Sequence, residues 1–150
     1  QMYSSNWRPN YIVGITRGGN VPATIISNMT GIRCEALKVS LRDDSGHGSE
    51  TNCWMAEDAF GYGDGRSYPK ARKNILIVDD INDTGRTLCW IKDDWQCDEA
   101  WGNNVRTACL IDNAPSQFDT LDYTALEINK EENPVWIVFP WEGERDYGKY

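Results

Sequence analysis

Two adjacent carboxylates follow a short apolar run in the middle of the chain. The run covers residues 75–78, and Asp79 and Asp80 come directly after it. Consecutive apolar residues that are mostly β-branched are typical of a parallel strand buried on both faces of its sheet. Because desolvating two neighbouring carboxylates is costly without a partner, the pair is predicted to face the hydroxyl groups of a ligand or a metal ion.

A polar turn follows shortly after the carboxylate pair and leads into a predicted helix. Its members are Asp83, Thr84, Gly85, Arg86 and Thr87. Either Asp83 or Thr84 could cap that helix. In open α/β sheets, ligands bind outside the carboxyl ends of the strands, where the N–H groups of helix N-termini favour phosphate. The stretch therefore combines a predicted phosphate cradle with a pair of carboxylates.

Residues 75–87 resemble the signature of the type I phosphoribosyltransferases, which bind 5-phosphoribosyl-1-pyrophosphate (PRPP). The resemblance includes the apolar run, the acidic pair and the polar turn. It implies a central parallel sheet flanked by helices, with a flexible active-site loop and a small C-terminal hood. It also implies an enzyme that uses Mg²⁺ and transfers the phosphoribosyl group of PRPP to a free nucleobase. The products would be a nucleoside 5′-monophosphate and pyrophosphate.

The same resemblance implies a role for each part of this stretch. Asp79 and Asp80 would hold the ribose hydroxyls and the metal, with Asp80 the better metal ligand. Residues 83–87 would cradle the 5′-phosphate. Asp83 would also act as the general base that takes the proton from purine N7.

A second candidate ligand loop, Arg17-Gly18-Gly19, follows the first predicted strand, residues 11–15. The glycines allow the backbone to approach a ligand closely, and Arg17 offers a cationic fork that suits phosphate oxygens. An ordinary glycine turn beside a solvated arginine has the same pattern. The resemblance favours the pyrophosphate loop of a PRPP site, with a non-proline cis peptide expected at Arg17–Gly18.

The chain is predicted to form one α/β domain, with a core over about residues 10–112. Further strands are predicted at residues 34–41 and 105–111, and helices at 21–30, capped by Gly31, and at 87–101. Residues 42–73 are polar and glycine-rich, and a structureless insertion of this length is usually functional or mobile. The resemblance implies a flexible loop that closes over the active site, and a surface loop without a catalytic role is the alternative.

The tail, residues 113–150, is predicted to contain strands at residues 123–128 and 135–141. The second is aromatic-rich, and an edge strand of the sheet is its simplest interpretation. The resemblance implies instead a hood for the nucleobase, similar to that of the xanthine-guanine group. Trp136 would then stack on a purine, Ile137 would offer its backbone, and Glu142 would lie by the exocyclic groups. Because stacking tolerates any base, Trp136 would contribute to the affinity for the base more than to the specificity for one base.

The stretch after the last core strand departs from the family pattern. The purine enzymes usually have a lysine there that recognises the 6-oxo group, whereas this chain has Asp112-Asn113-Ala114-Pro115-Ser116. Asn113 can donate a hydrogen bond but carries no charge. The expected acceptor is a 6-oxopurine, namely guanine, xanthine or hypoxanthine. The alternatives are an enzyme for adenine, a pyrimidine or a modified base, and a non-catalytic regulator that senses PRPP or a nucleotide.

The length, charge and cysteine content of the chain limit its number of domains, its partners and its location. A chain of 150 residues is long enough for one domain with a sizeable core, and a net charge of −8 argues against a nucleic-acid partner. Five cysteines without a CxxC pair indicate reduced thiols and a cytoplasmic location. No apolar run of transmembrane length occurs, so no membrane partner is predicted. The resemblance implies a homodimer or homotetramer, and residues 1–7 are expected to be the tail of a helix that precedes the first strand.

Overall fold

A computed structural model describes residues 1–39, 53–61, 71–96 and 98–143 of the chain. The strands are β1 (Tyr11–Thr16), β2 (Cys34–Lys38), β3 (Ile75–Asn82), β4 (Val105–Asn113) and β5 (Tyr123–Ile128). The helices are α1 (Asn20–Thr30), α2 (Cys53–Phe60) and α3 (Arg86–Trp95), with short 3₁₀ turns at Met2–Ser4 and Asp98–Ala100. Within these ranges, no helix has the length and apolar character that crossing a membrane requires.

The five strands form one sheet in the order β2-β1-β3-β4-β5, and every neighbouring pair is parallel. The predicted parallel α/β architecture is therefore confirmed. Because all five strands run in the same direction, the segments that follow them meet at one edge of the sheet. Strand β3 lies at the centre of the order, so the carboxylate pair and the polar turn that it carries lie in the middle of that edge.

Strand β3 is buried on both faces of the sheet, as its apolar run predicted. Ile75 and Ile77 pack in a core cluster with buried side chains of α3. Leu76 and Val78 pack in a second cluster on the other face, together with Ala23 of α1. Successive side chains of a strand point to opposite faces, so an unbroken apolar run serves both clusters.

The helix boundaries follow local backbone chemistry. Gly31 ends α1 in the left-handed conformation, at φ 73°, and donates its N–H to the Ser27 carbonyl, which confirms the predicted C-terminal cap. At the start of α3, Gly85 occupies the N-cap position at φ 78°, and no side chain caps the helix. The expected cap by Asp83 or Thr84 is therefore wrong, because the left-handed glycine takes that position. Thr84 Oγ1 accepts only a long hydrogen bond, 3.4 Å, from the Arg86 N–H.

The insertion between β2 and β3 contains a helix that the sequence did not predict. Helix α2 buries Met55 and Ala59 completely against the core, and Asp58 accepts a 3.1 Å hydrogen bond from the Tyr11 hydroxyl. The expectation of a structureless segment over residues 42–73 is wrong at these positions, because tertiary burial stabilises a helix too short to be stable alone. The rest of the proposed active-site loop, residues 42–52 and 62–70, lies outside the described residues.

Two strand predictions also need correction. The acidic pair does not follow the end of β3 but lies within it, since β3 continues to Asn82 and Asp79 pairs with Cys109 of β4. Residues 135–141 form no strand, and among the described residues the last strand of the sheet is β5. Pro134 and Pro140 have no N–H to donate to a neighbouring strand, which explains why the aromatic segment stays irregular.

We predict that Ile77→Ala lowers the free energy of unfolding by about 2–5 kcal/mol, because it empties a fully buried site in the central strand. Ile25→Ala on α1 is the matched control, since Ile25 is 50% exposed, and it should change stability by about 0.5 kcal/mol or less. Urea unfolding of both variants measures the difference. Equal losses for the two variants would contradict the burial of β3.

Candidate active site

The carboxyl ends of β1, β2 and β3, the start of α3 and the tail after β5 line an open cavity of about 1000 Å³ at one edge of the sheet. Its lining includes these residues that the sequence had singled out: Arg17, Gly18, Asp79, Asp80, Asp83, Thr84, Gly85, Arg86, Thr87, Trp136, Ile137 and Glu142. Gly19 is buried and does not belong to the lining. Residues from three separate parts of the sequence therefore meet around one space.

The Arg17-Gly18-Gly19 turn packs directly against the centre of the sheet. A Cβ atom on Gly18 would overlap the Asp80 carboxylate, and one on Gly19 would overlap the Val78 carbonyl oxygen. The glycines are thus required by the close approach of the turn to β3. A non-proline cis peptide is present, but at Thr16–Arg17, one bond before the expected Arg17–Gly18. Arg17 itself is exposed at the mouth of the turn.

The two carboxylates of β3 are held by neighbouring backbone groups. Asp79 accepts a 3.0 Å hydrogen bond from the Asp80 N–H, and Asp80 accepts one of 2.8 Å from the Ile81 N–H. Burial, and then the charge of Asp80, raise the pKa of Asp79 well above its ordinary value. Burial also raises the pKa of Asp80, and the nearby Glu142 carboxylate acts in the same direction. In the described part of the chain, neither Asp79 nor Asp80 has a cationic partner.

The buried side chain of Asn82, directly before the polar turn, connects the end of β3 to residues 112–118. Asn82 is 2% exposed and donates hydrogen bonds to Asp112 Oδ1 (2.8 Å) and to the Phe118 carbonyl (2.9 Å). Ser116 Oγ donates to Asn82 Oδ1 at 2.9 Å. The turn also packs tightly on this segment, since a Cβ on Gly85 would overlap the Phe118 nitrogen. Asn82 was not predicted as a site residue, although an amide between an acidic pair and a polar turn is suited to hydrogen-bond both segments.

Asp83 is paired with Lys130, which was not predicted as a site residue. The ammonium of Lys130 lies 2.9 Å from Asp83 Oδ1. Asn113 joins the two segments, because its amide donates to the Asp83 carbonyl at 2.9 Å and its Oδ1 accepts from the Lys130 N–H at 3.0 Å. Lys130 occupies a polar turn after β5, where a lysine is typically solvated, so no local signal distinguishes it.

The tail contributes the aromatic side of the cavity. Trp136 is 66% exposed, and the Lys130 ammonium lies 5.7 Å from the centre of its ring. Glu142 Oε2 accepts a 3.0 Å hydrogen bond from the Phe139 N–H, which ties this end of the tail together. The predicted base-binding residues therefore line the cavity although their segment is not a strand.

The donor set around the acidic pair suits a metal that also binds a substrate. The described residues contain no group of three or more His, Cys, Asp or Glu side chains that could hold a metal ion. Mg²⁺ retains waters and is commonly bound through one or two carboxylates plus substrate phosphates. Asp79 and Asp80 fit that mode of binding.

We predict that Gly18→Ala lowers the free energy of unfolding by about 1–3 kcal/mol, the usual cost of overpacking. The same substitution should cost clearly less in an Asp80→Ala background, because the carboxylate that overlaps the new Cβ is then absent. Urea unfolding of the parent, the two single variants and the double variant measures this coupling. Additive losses would show that the turn does not press on Asp80.

The raised pKa of Asp79 makes stability depend on pH. Below the pKa that this carboxyl has when unfolded, about 3.9, both states are protonated. As the pH rises through the window between that value and the raised folded pKa, the unfolded state loses its proton first and folding stability falls. We therefore predict that Asp79→Asn raises the free energy of unfolding at pH 7, while the gain vanishes at about pH 3.

The matched control for this pH dependence is Asp119→Asn, which removes the same charge from an exposed position. Its effect at pH 7 should stay within about 0.5 kcal/mol. Urea unfolding at both pH values is the measurement. A loss of stability in the Asp79→Asn variant at pH 7 would contradict the assignment of an energetically strained acidic pair.

Curated relatives of the chain are phosphoribosyltransferases. It is 30% identical over 148 residues to the xanthine-guanine phosphoribosyltransferase of Cereibacter sphaeroides, covering 94% of this chain and 72% of the relative. It is 29% identical over 139 residues to the xanthine-guanine phosphoribosyltransferase of Desulfotalea psychrophila, covering 91% of this chain and 72% of the relative.

Solved structures agree with these relatives. A purine phosphoribosyltransferase from Pyrococcus horikoshii Ot3 matches with a TM-score of 0.61 at 26% identity, covering 90% of this chain and 78% of that one. The xanthine-guanine-hypoxanthine phosphoribosyltransferase of Helicobacter pylori has the same fold, with a TM-score of 0.60 at 20% identity, covering 90% and 77%. The family model described as "Phosphoribosyl transferase domain" matches residues 1–147. The chain therefore belongs to the phosphoribosyl transferase domain family, as residues 75–87 predicted, and is a transferase enzyme.

Proposed function

We propose that the protein transfers the phosphoribosyl group of PRPP, with Mg²⁺, to a 6-oxopurine such as guanine, xanthine or hypoxanthine. The products are the nucleoside 5′-monophosphate and pyrophosphate. The observation that carries the proposal is one cavity, in which the polar turn of residues 83–87, the arginine-glycine turn, the acidic pair and an exposed tryptophan meet. Its volume of about 1000 Å³ lies at the upper end of ligand sites, which suits two substrates bound side by side. The purine enzymes among its relatives support the choice of base.

The two phosphate-bearing ends of PRPP have separate places in this cavity. The N–H groups at the start of α3, within residues 83–87, bind the 5′-phosphate, because the N-terminal end of a helix favours anions. Arg17 and the backbone of Gly18 bind the pyrophosphate, and Gly19 lets that turn sit close to β3. The ribose then spans the distance between the two turns, above the acidic pair.

Asp79 and Asp80 hold the ribose hydroxyls and the metal side of the ligand. Their pKa values are raised by burial and by neighbouring acidic groups, so a cation and hydroxyl donors relieve an unfavourable arrangement. When bound, Mg²⁺ neutralises charge on the pyrophosphate leaving group. Asp80 faces the Arg17-Gly18 turn, which supports its choice as the main metal ligand.

The reaction breaks the bond between the anomeric carbon of the ribose and pyrophosphate and forms a bond from that carbon to a ring nitrogen of the base. Asp83 accepts the proton from purine N7, and the leaving electron pair stays with pyrophosphate. Trp136 stacks on the purine, the backbone of Ile137 meets its edge, and Glu142 lies by its exocyclic groups. Holding the base in line with the departing pyrophosphate supplies much of the rate.

A base-panel assay tests this function. With Mg²⁺ and PRPP, we expect the enzyme to release pyrophosphate when guanine, xanthine or hypoxanthine is present. Release with adenine, uracil or orotate should be much slower. Release only with one of the latter would identify an enzyme for another base. Clear PRPP binding by calorimetry without release from any base would favour a non-catalytic sensor of PRPP or nucleotides.

We predict that Asp83→Asn lowers kcat by about 10²–10⁴-fold, the usual contribution of a general base, while PRPP affinity changes little. Asp58→Asn is the matched control, because Asp58 also pairs with a lysine at 2.9 Å, Lys73, but does not line the cavity. Steady-state kinetics and calorimetry on both variants separate the two effects. Near-normal turnover in Asp83→Asn would remove Asp83 from the mechanism.

A further inference from the structure

Lys130 lies between the residue proposed to accept a proton and the residue proposed to stack on the base. Its ammonium is 2.9 Å from Asp83 Oδ1 and 5.7 Å from the centre of the Trp136 ring. The side chain is 19% exposed and lines the cavity. A lysine on an ordinary surface turn would place its charge in water rather than against these two groups.

The lysine is held in this position by its own backbone. The Lys130 N–H donates to Asn113 Oδ1 at 3.0 Å, and the Asn113 amide donates to the Asp83 carbonyl at 2.9 Å. Asn113 is 7% exposed, so both hydrogen bonds are sheltered from water. The turn around Lys130 is ordered as well, since Asn129 Oδ1 accepts from the N–H groups of Glu131 and Glu132. These hydrogen bonds hold the backbone of Lys130 close to the backbone of Asp83, so the ammonium is within reach of the carboxylate.

The carboxylate and the ammonium together match one edge of a 6-oxopurine. N7 and O6 lie next to each other on that edge, whereas adenine has an amino group, a hydrogen-bond donor, in place of O6. A carboxylate that takes the N7 proton needs a donor beside it to meet O6. An ammonium has three N–H donors and no acceptor, and among the described residues one donor is directed to Asp83.

We propose that Lys130 is the specificity-determining residue of the site and selects the acceptor base by donating a hydrogen bond to its 6-carbonyl oxygen. The inference rests on the proposed function and names the group that makes the base a 6-oxopurine. Adenine is rejected because its amino group would face the ammonium, donor against donor. A base without a 6-substituent loses the hydrogen bond but meets no repulsion.

The test compares two bases that differ only at position 6, hypoxanthine and unsubstituted purine. Lys130→Met keeps an unbranched side chain that is one atom shorter and removes its hydrogen-bond donors. It should lower kcat/KM for hypoxanthine by about 10- to 100-fold, the worth of a hydrogen bond to a charged group. For purine, measured as a substrate or as a competitive inhibitor, the change should be smaller than about threefold, because no O6 is present. Lys130→Gln retains a donor and should lose less on hypoxanthine than Lys130→Met.

Lys73→Met is the matched control, since Lys73 makes a 2.9 Å ion pair with Asp58 and does not line the cavity. It should leave the ratio of the two bases unchanged. Equal losses on both bases in Lys130→Met, or no loss on either, would overturn the inference and leave the enzyme's function intact. Absence of turnover with every base in the parent protein, by contrast, would refute the proposed function itself.

Discussion

The burial of β3 at the centre of an all-parallel sheet governs where every group of the candidate site lies. Its apolar side chains pack into two core clusters, one on each face of the sheet. A shift or rotation of the strand would therefore expose apolar side chains of at least one cluster. Its carboxyl end then projects Asp79 and Asp80 at the edge where the β1 turn also arrives. The absence of side chains at Gly18 and Gly19 is what lets that turn reach the strand.

The three aspartates of the site differ in whether a cationic side chain lies beside them. Asp79 and Asp80 lie side by side, partly buried and without a cation from the described part of the chain, so the fold keeps them at a cost in stability. Asp83, a few residues later, has the ammonium of Lys130 beside it. Such a division is expected if the first pair receives its cations with the ligand while the third carboxylate belongs to a preformed pair.

The side-chain amides of Asn82 and Asn113 connect the segments around the site by hydrogen bonds. Asn82 ties the polar turn to residues 112–118, and Asn113 ties the same turn to the segment of Lys130. An amide can donate and accept at once, which a lysine cannot do, because an ammonium has only donors. The departure from the family pattern at Asn113 therefore has a structural consequence. Asn113 connects the backbones of Asp83 and Lys130, and the ammonium beside Asp83 is that of Lys130.

Local sequence alone determined the apolar half of β3, the presence of the acidic pair and the polar turn, the Gly31 cap and the family, because each depends on residues that are neighbours in the chain. It could not determine helix α2, which is stabilised by burying Met55 and Ala59 against distant strands, nor the irregular path of residues 135–141. Lys130 is the clearest case, since it meets Asp83 across 47 residues. Only the parallel pairing of β5 with β4 brings that turn to the edge where β3 ends, and long-range pairing leaves no trace in the local pattern.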